Sequence, residues 1–314
     1  NLSVTGCEIY NTCLNNQNRA LGDNGAWHAA IEYYFKYNYS IYSGEFVWQY
    51  GTISNNKIHN NWGEGLKTTR LSECKITDNK IYNNYSTAIL LDNTKNVLVY
   101  NNYIYTTNDD YNRMTSGYSR PMEGLAFSYG KNDFMANPIP ENIAVYNNLF
   151  VRTSAPFRWK CDAANVIHYN SYRNIKIAFN TTYNTIGRET FALDEALSGR
   201  DIPYGNEFKN NIIYKPVYNS VPQNYFTSSA DYQQYWAISN NCFASGDIPA
   251  FVSKNNIQGN PSFSNPSLNS PEGFKIASGS ICYASGEMIA SIEKDYFLNL
   301  RSPNPSIGFF ELTR

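Results

Sequence analysis

Residues 53–104 read ISNNKIHNNWGEGLKTTRLSECKITDNKIYNNYSTAILLDNTKNVLVYNNYI, and ISNNKI (53–58), ITDNKI (76–81) and VYNNYI (99–104) within them are three copies of one pattern. Each copy has an apolar residue, two variable positions, Asn, one variable position and an apolar residue. Four more copies follow at VYNNLF (145–150), IAFNTT (177–182), FKNNII (208–213) and ISNNCF (238–243), the last position of IAFNTT being Thr. The marker residues Asn56, Asn79, Asn102, Asn148, Asn180, Asn211 and Asn241 are separated by 23, 23, 46, 32, 31 and 30 residues. A period of 20 to 30 residues is that of a solenoid, in which each repeat stacks on the one before. The repeated gap of 23 sets the coil, and the longer gaps are the same coil with loops inserted. Stacked at a corner, Asn side chains form a ladder that bonds neighbouring turns.

Composition agrees with a β-solenoid. The 314 residues are 42% hydrophobic and 16% charged and include 27 Tyr; strand-forming and turn-forming residues dominate. Leucine-rich repeats have a similar period, but their Leu consensus and helical half are missing. With 25 Lys+Arg against 26 Asp+Glu the net charge is −1, so there is no cationic surplus for binding nucleic acid through its phosphates. No apolar run approaches the roughly 20 residues of a membrane helix, which argues against membrane insertion. The strand-like start at Asn1 predicts that a leader or earlier structure precedes it.

A second element recurs after each corner: GEGLKTT (63–69), STAILLD (86–92), MEGLAFS (122–128), APFRWKC (155–161) and ETFALDE (189–195). Aligned on Leu66, Ile89, Leu125, Phe157 and Phe191, a period of two sends these residues and Thr68, Leu91, Phe127, Trp159 and Leu193 inward. One outward row is then Lys67, Leu90, Ala126, Arg158 and Ala192. The next is Thr69, Asp92, Ser128, Lys160 and Asp194.

The run NNWGEGL (60–66) with NNYSTAILLDNTKNVLVYNN (83–102) resembles the secreted right-handed parallel β-helix proteins of the pectate-lyase-like superfamily. NIQGNPSFSNPSLNSPEGFKIASGS (256–280) is similar to their final coil, and SPNPSIGFFEL (302–312) to their closing strand. The resemblance implies an all-β, right-handed, single-stranded parallel β-helix of seven to ten coils in one domain, 1–314. Regular coils are expected over 53–255 and a C-terminal coil and closing strand over 256–314. Insertions are expected near 14–40, 106–121, 129–140 and 195–204. It also implies a secreted or cell-surface protein acting on an extracellular polysaccharide, with a groove along one sheet walled by such loops. The superfamily includes lyases, hydrolases, epimerases and non-catalytic members, so the fold alone does not select an activity.

Candidate chemistry lies on the outward rows. Elimination beside a uronate needs its carboxylate neutralised, a base, and a proton donor to the leaving oxygen. Arg158 and Lys160 lie two apart on one strand and point the same way; mutual repulsion favours Lys160 as the base, with Arg158 and Lys67 completing the catalytic set. Asp92 and Asp194 share the row of Lys160, within roughly 5 to 10 Å of it, and are the candidate ligands for Ca²⁺. Arg70 and Glu123 at the edges, with Trp48 and Trp62 as stacking platforms, are candidate substrate-binding residues. A hydrolase instead needs two carboxyl groups close together, for which Asp194 with Glu195 or Glu64 with Glu123 are available.

The alternative is a non-catalytic glycan-binding adhesin or surface-filament subunit that self-associates through aromatic faces. Its basis is the clusters of Trp27, Tyr33, Tyr34, Tyr37, Tyr39, Tyr42, Trp48 and Tyr50, and of Tyr225, Tyr232, Tyr235 and Trp236. His28, His59 and His168 fall in structural or solvated contexts. The six Cys, at 7, 13, 74, 161, 242 and 282, form no CxxC, which argues against zinc. Cys7 aligns with the Asn marker one or two coils before Asn56. Cys7 with Cys13, and Cys242 with Cys282, are candidate bridges.

Overall fold

The computed structural model describes residues 2–22, 28–34, 47–115, 118–129, 139–161, 172–186, 190–193, 203–214, 217–218, 221–222, 225–226, 234–244, 255–268 and 270–313. One coil shows how the repeat becomes architecture. Leu71–Thr77 is a strand, Asp78 turns the chain at φ 57°, Asn79 follows, and Lys80–Asn84 is the next strand. A second corner leads into Thr87–Asp92, and Asn93 at φ 50° redirects the chain into Lys95–Tyr100. That strand pairs parallel with Leu71–Thr77, placing Val99 opposite Ile76.

Repetition of this path builds three parallel sheets. The first has eight strands in chain order: Leu2–Thr5, Val47–Ser54, Leu71–Thr77, Lys95–Tyr100, Glu141–Tyr146, Arg173–Ala178, Asn206–Lys209 and Trp236–Ser239. The second has nine, from Glu8–Tyr10 and Lys57–Asn61 to Cys242–Phe243 and Ile257–Gln258. The third has six: Ala29–Tyr34, Glu64–Thr69, Thr87–Asp92, Glu123–Tyr129, Phe157–Cys161 and Phe191–Leu193. The eight rungs of the first sheet fall within the expected seven to ten coils. Between the sheets, like residues stack coil on coil. Ile53, Ile76, Val99, Val145, Ile177, Phe208 and Ile238 form one continuous buried column.

The two Asn of each marker pair do different work. The first, at Asn55, Asp78, Asn101, Asn147, Phe179, Asn210 and Asn240, has φ between 54° and 58°, where only Gly, Asn and Asp are at ease. Phe179 is the exception, and the Arg301 guanidinium lies 3.7 Å from its ring centre. The second Asn points inward and builds the expected ladder. From Asn56 to Asn241, each marker Nδ2 donates to the next marker Oδ1 at 2.9–3.1 Å, and Asn241 donates to Asn256. Each Oδ1 also receives the backbone N–H of the residue below, and at the bottom the Cys7 N–H donates to Asn56. With donors and acceptors matched in this way, an amide can be buried at no net cost.

Four segments are seen in more detail than the repeats alone give. The stretch 14–40 is not all insertion, because Ala29–Tyr34 is the first strand of the third sheet, paired with Glu64–Thr69. Coils also begin before residue 53, since Leu2–Thr5 and Glu8–Tyr10 already pair with strands of the next coil. Within 106–121, Arg113–Thr115 and Tyr118–Arg120 form an antiparallel hairpin. Residues 302–312 are irregular rather than a closing strand; Pro303 and Pro305 have no N–H to give a ladder. The segment 259–313 instead packs across the outside of the second sheet, where Phe274 and Phe309 cover Tyr103, Tyr105, Leu149 and Val151. Of the insertions at 129–140 and 195–204, residues 130–138 and 194–202 lie outside the described residues.

Candidate active site on the third sheet

The third sheet adopts the register read from the repeats: Leu66 opposite Ile89, Ile89 opposite Leu125, Leu125 opposite Phe157 and Phe157 opposite Phe191. Strict alternation fails at one place, and the chemistry depends on it. A Cβ on Gly65 would lie 2.7 Å from the Ala88 carbonyl oxygen and 3.1 Å from Ile81 Cγ2, so this position faces inward, as buried Leu66 also does. Gly124 repeats the pattern, 2.5 Å from the Pro156 oxygen and 2.6 Å from Phe150. Two consecutive inward positions leave Glu64 and Glu123 on the outer face with Lys67, Arg158 and Lys160.

Glu123 is the hub of this face. One carboxylate oxygen binds Arg158; the other is 2.7 Å from Lys160 Nζ and accepts a hydrogen bond from Thr87 Oγ1 at 3.0 Å. Lys160 also donates to Thr87 Oγ1 at 2.9 Å, which closes a triangle. Burial alone would raise the carboxyl's pKa. The charges of Lys160 and Arg158, with the hydrogen bonds from Lys160 and Thr87, outweigh burial and hold it at about 2.

Glu64 has the opposite fate. It pairs two strands from Glu123 across Thr87, is 1% exposed, and its Oε2 has no hydrogen-bond partner. Burial pushes its carboxyl up to about 8 against the pull of Lys160 and Lys67, with Asp92 and Glu123 adding to the rise. One carboxyl is therefore neutral at pH 7 while its neighbour is ionised. This separation of pKa values is how enzyme sites assign an acid.

Of the expected site residues, the fold brings Lys160, Arg158 and Glu123 into contact; Lys67 shares the row of Arg158 three strands away and lies 3.5 Å from Glu32 on the strand at its other side. Asp92 accepts a hydrogen bond from Asn93 at 3.0 Å and acts on Glu64 through its charge. Arg70 is buried at the corner after Thr69, its N–H bonded to the Asp92 carbonyl. Trp62 is not a free stacking platform: at 8% exposure it packs against Tyr85 and Tyr111, at ring distances of 6.3 and 4.8 Å. Asp194 and the side chain of Trp48 lie outside the described residues. Lys160 donates to both Glu123 and Thr87.

Glu32 and Thr87 were not among the expected site residues, and Glu64 was expected only as the partner of Glu123 in a hydrolase pair. The sequence held a signal for Glu64, the Glu-Gly-Leu repeated at 64–66 and 123–125. Among the described residues no group of three His, Cys, Asp or Glu could hold a metal ion. Asp194, one of the two expected Ca²⁺ ligands, lies outside the described residues, and no step below is routed through the ion.

Residues 1–191, more than half the chain, match the family model described as a right-handed β-helix region. The chain belongs to the right-handed β-helix family. No curated protein matches it by sequence. Among solved structures, this β-helix protein is similar to XylC in complex with xylose, at 12% identity over 84% of this chain and 50% of that one, TM-score 0.37. It is also similar to pectate lyase Pel9A, at 10% identity over 99% of this chain and 97% of that one, TM-score 0.37. The β-helix chain thus spans about half the length of XylC.

Proposed function

We propose that this β-helix protein is a polysaccharide-cleaving enzyme that binds its chain along the outer face of the third sheet, with Glu64 as the acid that protonates the leaving glycosidic oxygen. The observation that supports this most is the buried, neutral Glu64 carboxyl, its Oε2 without a hydrogen-bond partner, set near cations and an ionised Glu123. Breaking a glycosidic C–O bond at neutral pH requires a proton at the departing oxygen, and a carboxyl with a pKa of about 8 still holds one there. Glu123 has both oxygens engaged, so it fixes Arg158 and Lys160 rather than attacking a sugar. We read the reaction as hydrolysis, in which the neutral carboxyl supplies the proton and Lys160 is held against Glu123 and Thr87. Secretion or display at the cell surface, where such polymers are found, belongs to the same proposal. No helix among the described residues is long and apolar enough to cross a membrane.

The test is a panel of neutral and uronate polysaccharides, followed by reducing-end release and by absorbance at the unsaturated product's band, with and without chelator. New reducing ends without the chromophore, lost in Glu64→Gln, is the expected result. Chromophore formation would establish elimination instead. Binding without cleavage of any polymer would overturn the enzymatic reading in favour of a glycan-binding protein.

A further inference from the structure

The C-terminal segment that straps the second sheet meets the coils at a pair of thiols. Cys242 lies in the strand Cys242–Phe243, between Ile212–Ile213 and Ile257–Gln258. Cys282 lies in the strap, its carbonyl accepting the Ile307 N–H at 2.9 Å and its own N–H bonded to Ser280 Oγ at 3.1 Å. Both are fully buried, in one cluster with Ile212, Ile276 and Ile307. The neighbouring Cys282 thiol and burial push the Cys242 thiol up, and Cys242 Sγ donates to the Gly259 carbonyl at 3.7 Å. Among the other described cysteines, Cys74 is buried in the core, Cys13 packs beside Trp62 and Cys7 is exposed at the first coil.

Two buried thiols packed in one cluster, one on the scaffold and one on the segment covering it, are placed to fasten the two together. We propose that Cys242 and Cys282 close as a disulfide that clamps the C-terminal strap onto the last coils. The oxidant is a small-molecule disulfide such as oxidised glutathione. One cysteine thiolate attacks it, expelling a glutathione thiolate and leaving a mixed disulfide. The second cysteine thiolate then displaces the remaining glutathione. Two protein thiols and one glutathione disulfide thus become one protein disulfide and two glutathione thiols. Because both sulfurs are buried in the folded chain, the exchange takes place while the strap is still open during folding. The clamp is independent of the reaction on the third sheet.

The experiment folds the full chain in a glutathione redox buffer and blocks residual thiols with N-ethylmaleimide in denaturant. The chain is then digested without reductant and its peptides mapped by mass spectrometry. The expected result is one linked peptide pair containing Cys242 and Cys282, with Cys74 alkylated. Adding dithiothreitol should lower Tm by roughly 5–10 °C, a shift absent from the Cys242→Ala/Cys282→Ala variant. Alkylation of both residues, or linkage of either to another cysteine, overturns the proposal, as does a linked pair whose reduction leaves Tm unchanged. Should the double variant fail to fold, peptide mapping of the unmodified chain alone decides it.

Discussion

Lys160 Nζ lies 2.7 Å from one oxygen of Glu123, and the other oxygen of that carboxylate binds Arg158. A single anion therefore holds two cations that the fold has placed on one strand, and the cost of breaking the arrangement can be read from pH. The folded Glu123 titrates near 2 against an ordinary 4.5, so its stabilising effect is fully present above about pH 4.5 and is lost as pH falls from there toward 2. Glu123→Gln should destabilise the chain by about 2–3 kcal/mol at pH 7 and flatten the acid limb of stability. Urea unfolding at pH 7 and at pH 3 measures both; equal losses at the two pH values would contradict the pairing.

Glu64 gives the opposite sign. Its folded pKa of about 8 lies above the ordinary 4.5, so stability is highest below pH 4.5 and declines as pH rises to about 8, because the unfolded chain releases the proton first. Glu64→Gln removes this penalty and should make the protein more stable at pH 7, by about 1–3 kcal/mol. The same substitution should lower turnover at least 10²-fold, and wild-type turnover should fall as pH rises through about 8. A variant that loses activity while gaining stability is the signature of a carboxyl kept neutral for chemistry. A destabilised Glu64→Gln would count against it.

The ladder should be intolerant at its centre. Asn102→Ala removes the acceptor of the Asn79 N–H and side chain, and leaves the Ile76 and Tyr100 carbonyls without their Nδ2 donor. A loss of about 2–4 kcal/mol is expected in urea unfolding. Asn142 also joins an Asn stack, with Asn96 and Asn174, but on the exposed surface. At its φ of 54°, Asn142→Gly should stay within about 0.5 kcal/mol.

Arg301 anchors the strap from the other side. Fully enclosed, it donates to Asn147 Oδ1 at 2.8 Å and to the Gly308 carbonyl at 3.0 Å, lies 3.5 Å from Glu311, and caps Phe179. Arg301→Ala should cost about 3–5 kcal/mol by stranding Glu311. Arg301→Lys should recover little, since an ammonium cannot reach three partners in one plane. Limited proteolysis should then cut first within 259–313, and cutting elsewhere would assign the anchoring to other contacts.

The coils were legible because they depend on periodic residues. All seven Asn markers stand in the ladder and the third sheet has the expected register, since stacking demands the same residue type at each rung. Asn256 escaped notice because it follows Asn241 by only 15 residues. The site was only partly legible. Alternation of period two gives no warning of consecutive inward positions, so the shared face of Glu64 and Lys67 waited for the Gly65 backbone to be placed. Glu32 was missed because its strand lies within a stretch taken as loop. The contact of Lys160 with Glu123 was not foreseen, because a row of side chains says nothing about which counter-ion reaches across it.

Every rung of the Asn stack donates toward the C-terminus, so its amide dipoles add head to tail and the spine has a direction, like an arrow with distinct tip and tail. Each coil presents the same donors above and the same acceptor below. Duplicating a whole 23-residue unit such as 80–102 would extend the spine without breaking any bond within it. Growth by copying entire turns is therefore built into the polymer chemistry of the backbone, and the loops on the third sheet are free to diversify around it.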